Sequence, residues 1–343
     1  MRIVTPLALA SLLLASSNLS AQPPAAPARP PCSPNDSNFV CTGAQTGPED
    51  LVAISDGKWV IASAMSGSGG LAAVSSSDRR VTKIYPAANA KQARDDRLYK
   101  DCPSPPNAEK FTTHGLYLFS GGGPVERLLA VGHGERESIE MFNVDIRGDV
   151  PQVTWIGCVI APDPIGLNSV RGLKDGGFIT TNFLPRGGNA DARTKMSNGE
   201  KNGELWEWHP HGKWQKVPGS EAAGANGVEL SQDGKTIYMA AWGSQSFVRL
   251  SRGDKKVSRD EVPLGFRIDN IHWADDDRTL IAVGQGQGRW IAVKIDPATL
   301  KVSEALNRED TPGFGAGTVA AEVGKTWWIG SYIGDRIEIV PAP

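Results

Sequence analysis

The chain carries only four cysteines in 343 residues: Cys32, Cys41, Cys102 and Cys158. Their spacing matches no zinc ribbon or finger. The charge balance is nearly even, with a formal net charge of −2 and no basic block. Nucleic acid is therefore not an expected partner. There is no long apolar run after the N-terminus, so no stable membrane span is expected. The one apolar run, Ile3 to Ala15 behind the lone charge of Arg2, is too short to cross a bilayer comfortably. It has the shape of a signal-peptide core, with Ser17, Ser20 and Ala21 placing cleavage near Ala21. Amphipathic helices of useful length are missing between the strand-like segments, which disfavours βαβ units. A G-x-S-x-G elbow is also missing, so a serine hydrolase of the α/β type is not indicated.

What is present divides the chain into a signal peptide (1–21), a Pro/Ala-rich leader (22–38) and one large domain (39–343). Export to the cell exterior or periplasm makes disulfides permissible. Four cysteines allow three pairings, and the spacing does not choose among them. Cys32 with Cys41 would close a short loop; Cys102 with Cys158 would staple a longer one.

Within the domain one short strand pattern keeps returning behind a turn or charged stretch. It reads SDGKWVIAS (55–63), VERLLAVGHG (125–134), LKDGGFITTNF (173–183), SQDGKTIYMAAW (231–242), DDDRTLIAVG (275–284) and EVGKTWWIGSY (322–332). Asp-Gly turns mark several of these as halves of hairpins. The separations, roughly 40 to 70 residues, are those of propeller blades with variable loops. The expected fold is an all-β, six-bladed β-propeller. One small sheet cannot bury both faces, but blades stacked around an axis can.

Polar residues just ahead of the inner strands become pocket candidates. Four stretches stand out: GPEDLVA (Glu49, Asp50), GLNSVRGL (Asn168), GANGVELSQDG (Asn226) and FRIDNIHWAD (Asp269, Asn270). Singly each reads as a turn, a cap or a solvated pair. Together Glu49, Asn168, Asn226, Asp269 and Asn270 form an all-oxygen set with two negative charges. Such a set suits Ca²⁺ above Mg²⁺, while softer metals would want more histidine or thiolate. His114 and His133 both flank glycine in the second repeat and would make a proton relay beside a metal. His272 is placed to line the pocket or turn into its blade. His209 and His211 sit in a hairpin turn, WEWHPHGKW, away from it. Phe183, Trp242, Phe266 and Phe314 are the expected apolar lining.

With these residues in hand the chain, from about residue 47 to 340, resembles the paraoxonase-type arylesterases and lactonases. More distantly it resembles the gluconolactonase/regucalcin and strictosidine-synthase-like propellers. The resemblance rests on the E-D pair Glu49–Asp50, on Thr113-His114-Gly115, on Val131-Gly132-His133, on Asp269–Asn270, and on the closing stretch FGAGTVAAEVGKTWWIGSY. It implies a catalytic calcium held by Glu49, Asn168, Asn226, Asp269 and Asn270. The activity implied is hydrolysis of a small-molecule ester or lactone, by water attacking a metal-polarised carbonyl. His114 would be the base and His133 its partner, with Asp269 a second candidate base. The resemblance also implies a second, structural calcium, to which Asp50 and the Leu116 carbonyl would contribute. There the chain departs from the pattern, because Ser169 stands where the family has Asp. It also lacks the disulfide that joins the two ends of the animal paraoxonases, so ring closure must rest on strand pairing. The stretch after Asn182 is rich in glycine and charge, which leaves a lipoprotein-docking surface unsupported. The alternatives are a sugar-lactonase or lyase on the same scaffold, for which Arg and Asn at the mouth would speak, or a binding or scaffold propeller without a central metal set.

Overall fold

The computed structural model describes residues 30–120, 122–253 and 256–343. The expected signal peptide and most of the leader lie outside the described residues. Strands make six blades around one axis, as expected from the repeat. Four blades are four-stranded meanders in plain chain order. The second gains a parallel edge, Lys91–Gln92 beside Gln152–Ile160. The sixth is closed by the N-terminal strand Phe39–Cys41, which pairs antiparallel with Arg336–Pro341. Ring closure therefore rests on strand pairing. Cys32–Cys41 pins this strand from outside, and Cys102–Cys158 ties the 86–111 excursion onto blade two. Two disulfides are compatible with an oxidising, secreted setting. Among the described residues no helix is long and apolar enough to cross a membrane.

The local chemistry explains the blades. At Asp56-Gly57, Asp175-Gly176 and Asp233-Gly234 the glycine takes a positive φ. Each aspartate side chain accepts the N–H two residues on. This closes the hairpin between the first and second strands. Second strands such as Trp59–Ala64 and Thr326–Ser331 are almost wholly buried rather than alternating, because blades cover both of their faces. Trp155, Trp290, Trp327 and Trp328 are fully buried between blades.

The inner strands are Leu51–Ala53, Thr112–Phe119, Leu167–Gly172, Ala225–Leu230, Arg267–Trp273 and Gly317–Val323. Each touches the next around the axis. Five of the six depart from regular pairing at the same height. Residues 114–115, 168–169, 226–227, 269–270 and 318–319 each oppose a single residue of the second strand. These are β-bulges, which re-aim side chains. Strict alternation would send Asp269 and Asn270 to opposite faces. The bulge removes that constraint where the candidate residues stand. Gly115 and Gly227 let neighbouring inner strands close in: a Cβ would lie 2.6 Å from the Asn168 carbonyl oxygen or 2.5 Å from that of Asp269.

Candidate active site at the channel mouth

The bulge residues Asn168, Asn226, Asp269 and Asn270 gather around Glu49 from blade one, and Glu49, Asn168, Asn226 and Asp269 line one cavity of about 1120 Å³, with Asn270 held against Glu49. All five side chains are buried. The Asn270 amide donates to Glu49 Oε1 at 2.6 Å. Gln285 Nε2 donates to Asp269 Oδ2 at 2.6 Å. The Thr318 hydroxyl holds the Glu49 carbonyl at 2.6 Å, so blade six positions a group supplied by blade one. Four buried oxygens have no hydrogen-bond partner: Glu49 Oε2, Asn168 Oδ1, Asn226 Oδ1 and Asn270 Oδ1. A buried acceptor without a donor costs about 1–3 kcal/mol. Four in one cluster would fit a hard cation as a donor set. Among the described residues no three His, Cys, Asp or Glu side chains form a metal cluster by themselves. The set is instead two carboxyls and three amides.

The two carboxyls feel the lack of positive charge. Burial, then Asp269 and Asp50, push Glu49 well above the usual carboxylate range. Burial also pushes Asp269 up to about 7, against the hydrogen bonds from Gln285 and Asn226.

Beside this set runs a chain of three side chains. His114 Nε2 lies 3.6 Å from Glu49 Oε2 and accepts from Asn168 Nδ2 at 3.2 Å. His114 Nδ1 is 3.1 Å from His133 Nε2. His133 Nδ1 is 2.9 Å from both oxygens of Glu137. The Leu167 N–H donates to Glu137 Oε2 at 3.1 Å. With Glu137 ionised, His133 carries its proton on Nδ1 and offers Nε2 as acceptor. His114 must then donate from Nδ1, which makes Nε2 an acceptor on the side of the oxygen set, where Asn168 Nδ2 approaches it at 3.2 Å. Burial, then His133, hold the His114 imidazole well below its usual value.

Further along the same inner strands lies a second ionic group. Both oxygens of Asp50 are engaged, Oδ1 by the Leu51 N–H and His272 Nε2, at 2.9 and 2.8 Å, and Oδ2 by the Leu116 N–H at 2.6 Å. His272 Nδ1 faces Glu229 Oε1 at 3.9 Å. Arg171 Nε is 2.6 Å from Glu229 Oε2. Burial opposes charge on His272, but Asp50 and Glu229 raise it to about 10. Ser169 supplies no carboxylate, and the Ser169 N–H is spent on Thr181 Oγ1 at 2.8 Å. These residues do not fit a second calcium: protein cations already stand where its charge would go.

Of the expected lining, Phe183, Trp242 and Phe266 border the cavity. Phe183 and Trp242 meet edge to face at 5.8 Å. Two expectations need correction. Phe314 does not line the cavity; it is fully buried against Phe39 and accepts a Ser331 hydroxyl hydrogen bond at its carbonyl. His272 faces Asp50 and Glu229, not the pocket. Sequence reasoning missed Glu137, Gln285 and the mouth arginines Arg186, Arg193 and Arg267. Glu137 lies in the charged stretch GERES, which reads as solvated. Only its four-residue spacing from His133 hinted at contact.

No family model and no curated protein sequence matches the chain. Solved structures share its architecture. A gluconolactonase from Xanthomonas campestris superposes with a TM-score of 0.56 at 16% identity, over 89% of this chain and 89% of that one. A luciferin-regenerating enzyme gives 0.53 at 12% identity, over 86% and 90%. A catalytically inactive virginiamycin B lyase from Staphylococcus aureus, with quinupristin, gives 0.51 at 12% identity, over 89% and 98%. At such identities the likeness is one of fold.

Proposed function

We propose that this protein is a calcium-dependent hydrolase of lactones or esters. The observation that carries the reading is the cluster of orphaned, buried oxygens on Glu49, Asn168, Asn226 and Asn270, with Asp269 among them, beside a histidine lone pair. Those five residues would hold the ion. When bound, a divalent cation polarises a carbonyl oxygen and steadies the charge that develops on it.

The chain's own groups handle the proton. A water at His114 Nε2 gives up a proton to that nitrogen as its oxygen attacks the carbonyl carbon. His133 stabilises the resulting imidazolium by accepting from Nδ1, and Glu137 stabilises His133 in turn. The same proton returns to the departing alkoxide oxygen, giving an acid and an alcohol from an ester, or a single hydroxy acid from a lactone. Asp269 is less suited to be the base, because Gln285 and Asn226 both donate to it and it belongs to the proposed ion's ligand set, whereas His114 Nε2 meets one longer donor, Asn168 Nδ2 at 3.2 Å. Phe183, Trp242 and Phe266 provide apolar wall, but Arg and Gln share the mouth. This mixture supports a polar lactone over a purely aryl ester.

The test is turnover of phenyl acetate, aliphatic lactones and sugar lactones, with calcium and after chelation. Lactone hydrolysis lost on chelation and restored by calcium is expected. Binding of calcium with no turnover of any ester or lactone would overturn the hydrolase reading and favour a lyase or a binding propeller.

A further inference from the structure

Above the oxygen set stands a guanidinium with no ion-pair partner among the described residues. Arg267 lies on the inner strand of blade five, two residues before Asp269, and borders the cavity. Its guanidinium carbon sits 4.2 Å from the centroid of the Trp242 ring. Trp242 is fixed in turn, its indole N–H donating to Gln285 Oε1 at 2.9 Å. Gln285 spends its own amide on Asp269 and on the Gly317 carbonyl, at 2.6 and 3.0 Å. One rigid chain thus links the Arg267 platform to the oxygen set.

Stacking on an indole satisfies the face of a guanidinium and leaves its N–H edges available. Those edges form a planar fork matched to carboxylate and phosphate oxygens. Arg186 and Arg193 add positive charge on the segment that crosses the mouth. Arg186 leans loosely on exposed Asp163, at 3.6 Å, and donates to the Glu135 carbonyl at 3.2 Å. The negative groups in the wall are largely committed. Glu49 and Asp269 belong to the oxygen set, and Glu137 is held by His133. Asp310 remains, and burial pushes its carboxyl upward.

We infer that the substrate is an anionic lactone or ester, whose carboxylate or phosphate seats on Arg267 while its carbonyl reaches the oxygen set. This rests on the hydrolase reading for the carbonyl half only. Arg267 then determines specificity, because its half-buried fork loses a charge-assisted bond when the anion is missing.

The wild-type protein with calcium is given matched pairs: the γ-lactone of hydroxyglutarate against its carboxamide, and phosphorylated gluconolactone against gluconolactone. The kcat/KM is expected to favour one anionic member about tenfold to a hundredfold; which pair shows it identifies carboxylate or phosphate. Arg267→Gln should bring that ratio close to one. Arg249→Gln, which removes an equal charge paired to Asp260 in blade four, should leave the ratio intact. Binding is measured separately by calorimetry. The probes are the carbocyclic analogue of the hydroxyglutarate lactone, which cannot be opened, its carboxamide, and the two free acids of the gluconate pair. The same preference for the more anionic member is expected there. Turnover without any anion preference in either pair overturns this inference alone. An anion preference in binding with no turnover overturns the hydrolase reading and leaves the anion seat standing.

Discussion

Two ionic groups share the inner strands of this propeller, a few residues apart, and they solve the problem of buried charge in opposite ways. At the mouth, Glu49 and Asp269 stand with three amides and, among the described residues, no Lys or Arg ion pair; the nearest ring nitrogen is His114 Nε2, 3.6 Å from Glu49. Further in, Asp50 and Glu229 stand with His272 and Arg171, so negative and positive charges balance within the protein. The inner group is closed: Asp50 has a donor on each oxygen. The mouth group is open: acceptors outnumber donors, and both carboxyls are pushed upward. A buried charge must be paired, neutralised or given a metal. The inner group is paired. The mouth group has unmet acceptors that would suit a cation from outside, as proposed.

The largest effect expected from breaking this contrast is at the mouth. Asp269→Asn removes one of its two carboxyls and should abolish calcium binding and lower lactone turnover by about a thousandfold or more, measured by calcium titration and steady-state rates.

Breaking the inner group should cost stability instead. Glu229→Gln leaves two half-buried cations facing one carboxylate, a loss of about 2–4 kcal/mol in urea unfolding, with calcium binding retained. Its pH dependence has a definite sign. Burial raises the Glu229 carboxyl, but Arg171 and then His272 outweigh it and hold it below its ordinary 4.5. Its stabilisation is therefore present above that value and lost as pH falls through the folded-state value. Acid unfolding of Glu229→Gln should be correspondingly flatter than that of wild type.

His114→Gln separates proton chemistry from metal. Calcium binding should persist while kcat falls about a hundredfold or more. The smallest effect is expected at Glu137, a positioning residue acting through His133. Glu137→Gln can accept from His133 Nδ1 but cannot balance an imidazolium. A fall of about tenfold to a hundredfold in kcat, little change in KM, and a shifted pH–rate profile are expected. A pH profile identical to wild type would reduce Glu137 to a structural role.

The repeat made the propeller legible, because blades covered on both faces leave short apolar strands at regular intervals. Polar residues set among glycine and apolar neighbours, such as Asn226 in GANGV or the Asp269–Asn270 pair, were legible as pocket groups for the same reason. Their convergence was not, since it depends on bulges that a period-two pattern does not reveal. His272 follows the D-N pair by two residues and so looked like a pocket group, but the bulge changes the strand's phase after Asn270 and turns the ring toward Asp50. Phe314 lies between turn glycines, where no strand phase defines its side. Glu137 sits in a charged, exposed-looking stretch and Arg267 beside the Asp269–Asn270 pair that drew the eye instead, and only the fold shows that one touches His133 and the other a tryptophan.

The most direct test of the contrast is the number of calcium ions held per chain, measured by equilibrium dialysis and elemental analysis of the folded wild-type protein. One ion, lost in Asp269→Asn and kept in Glu229→Gln, is predicted. Two ions would contradict the closed inner group, and none would contradict the open one at the mouth.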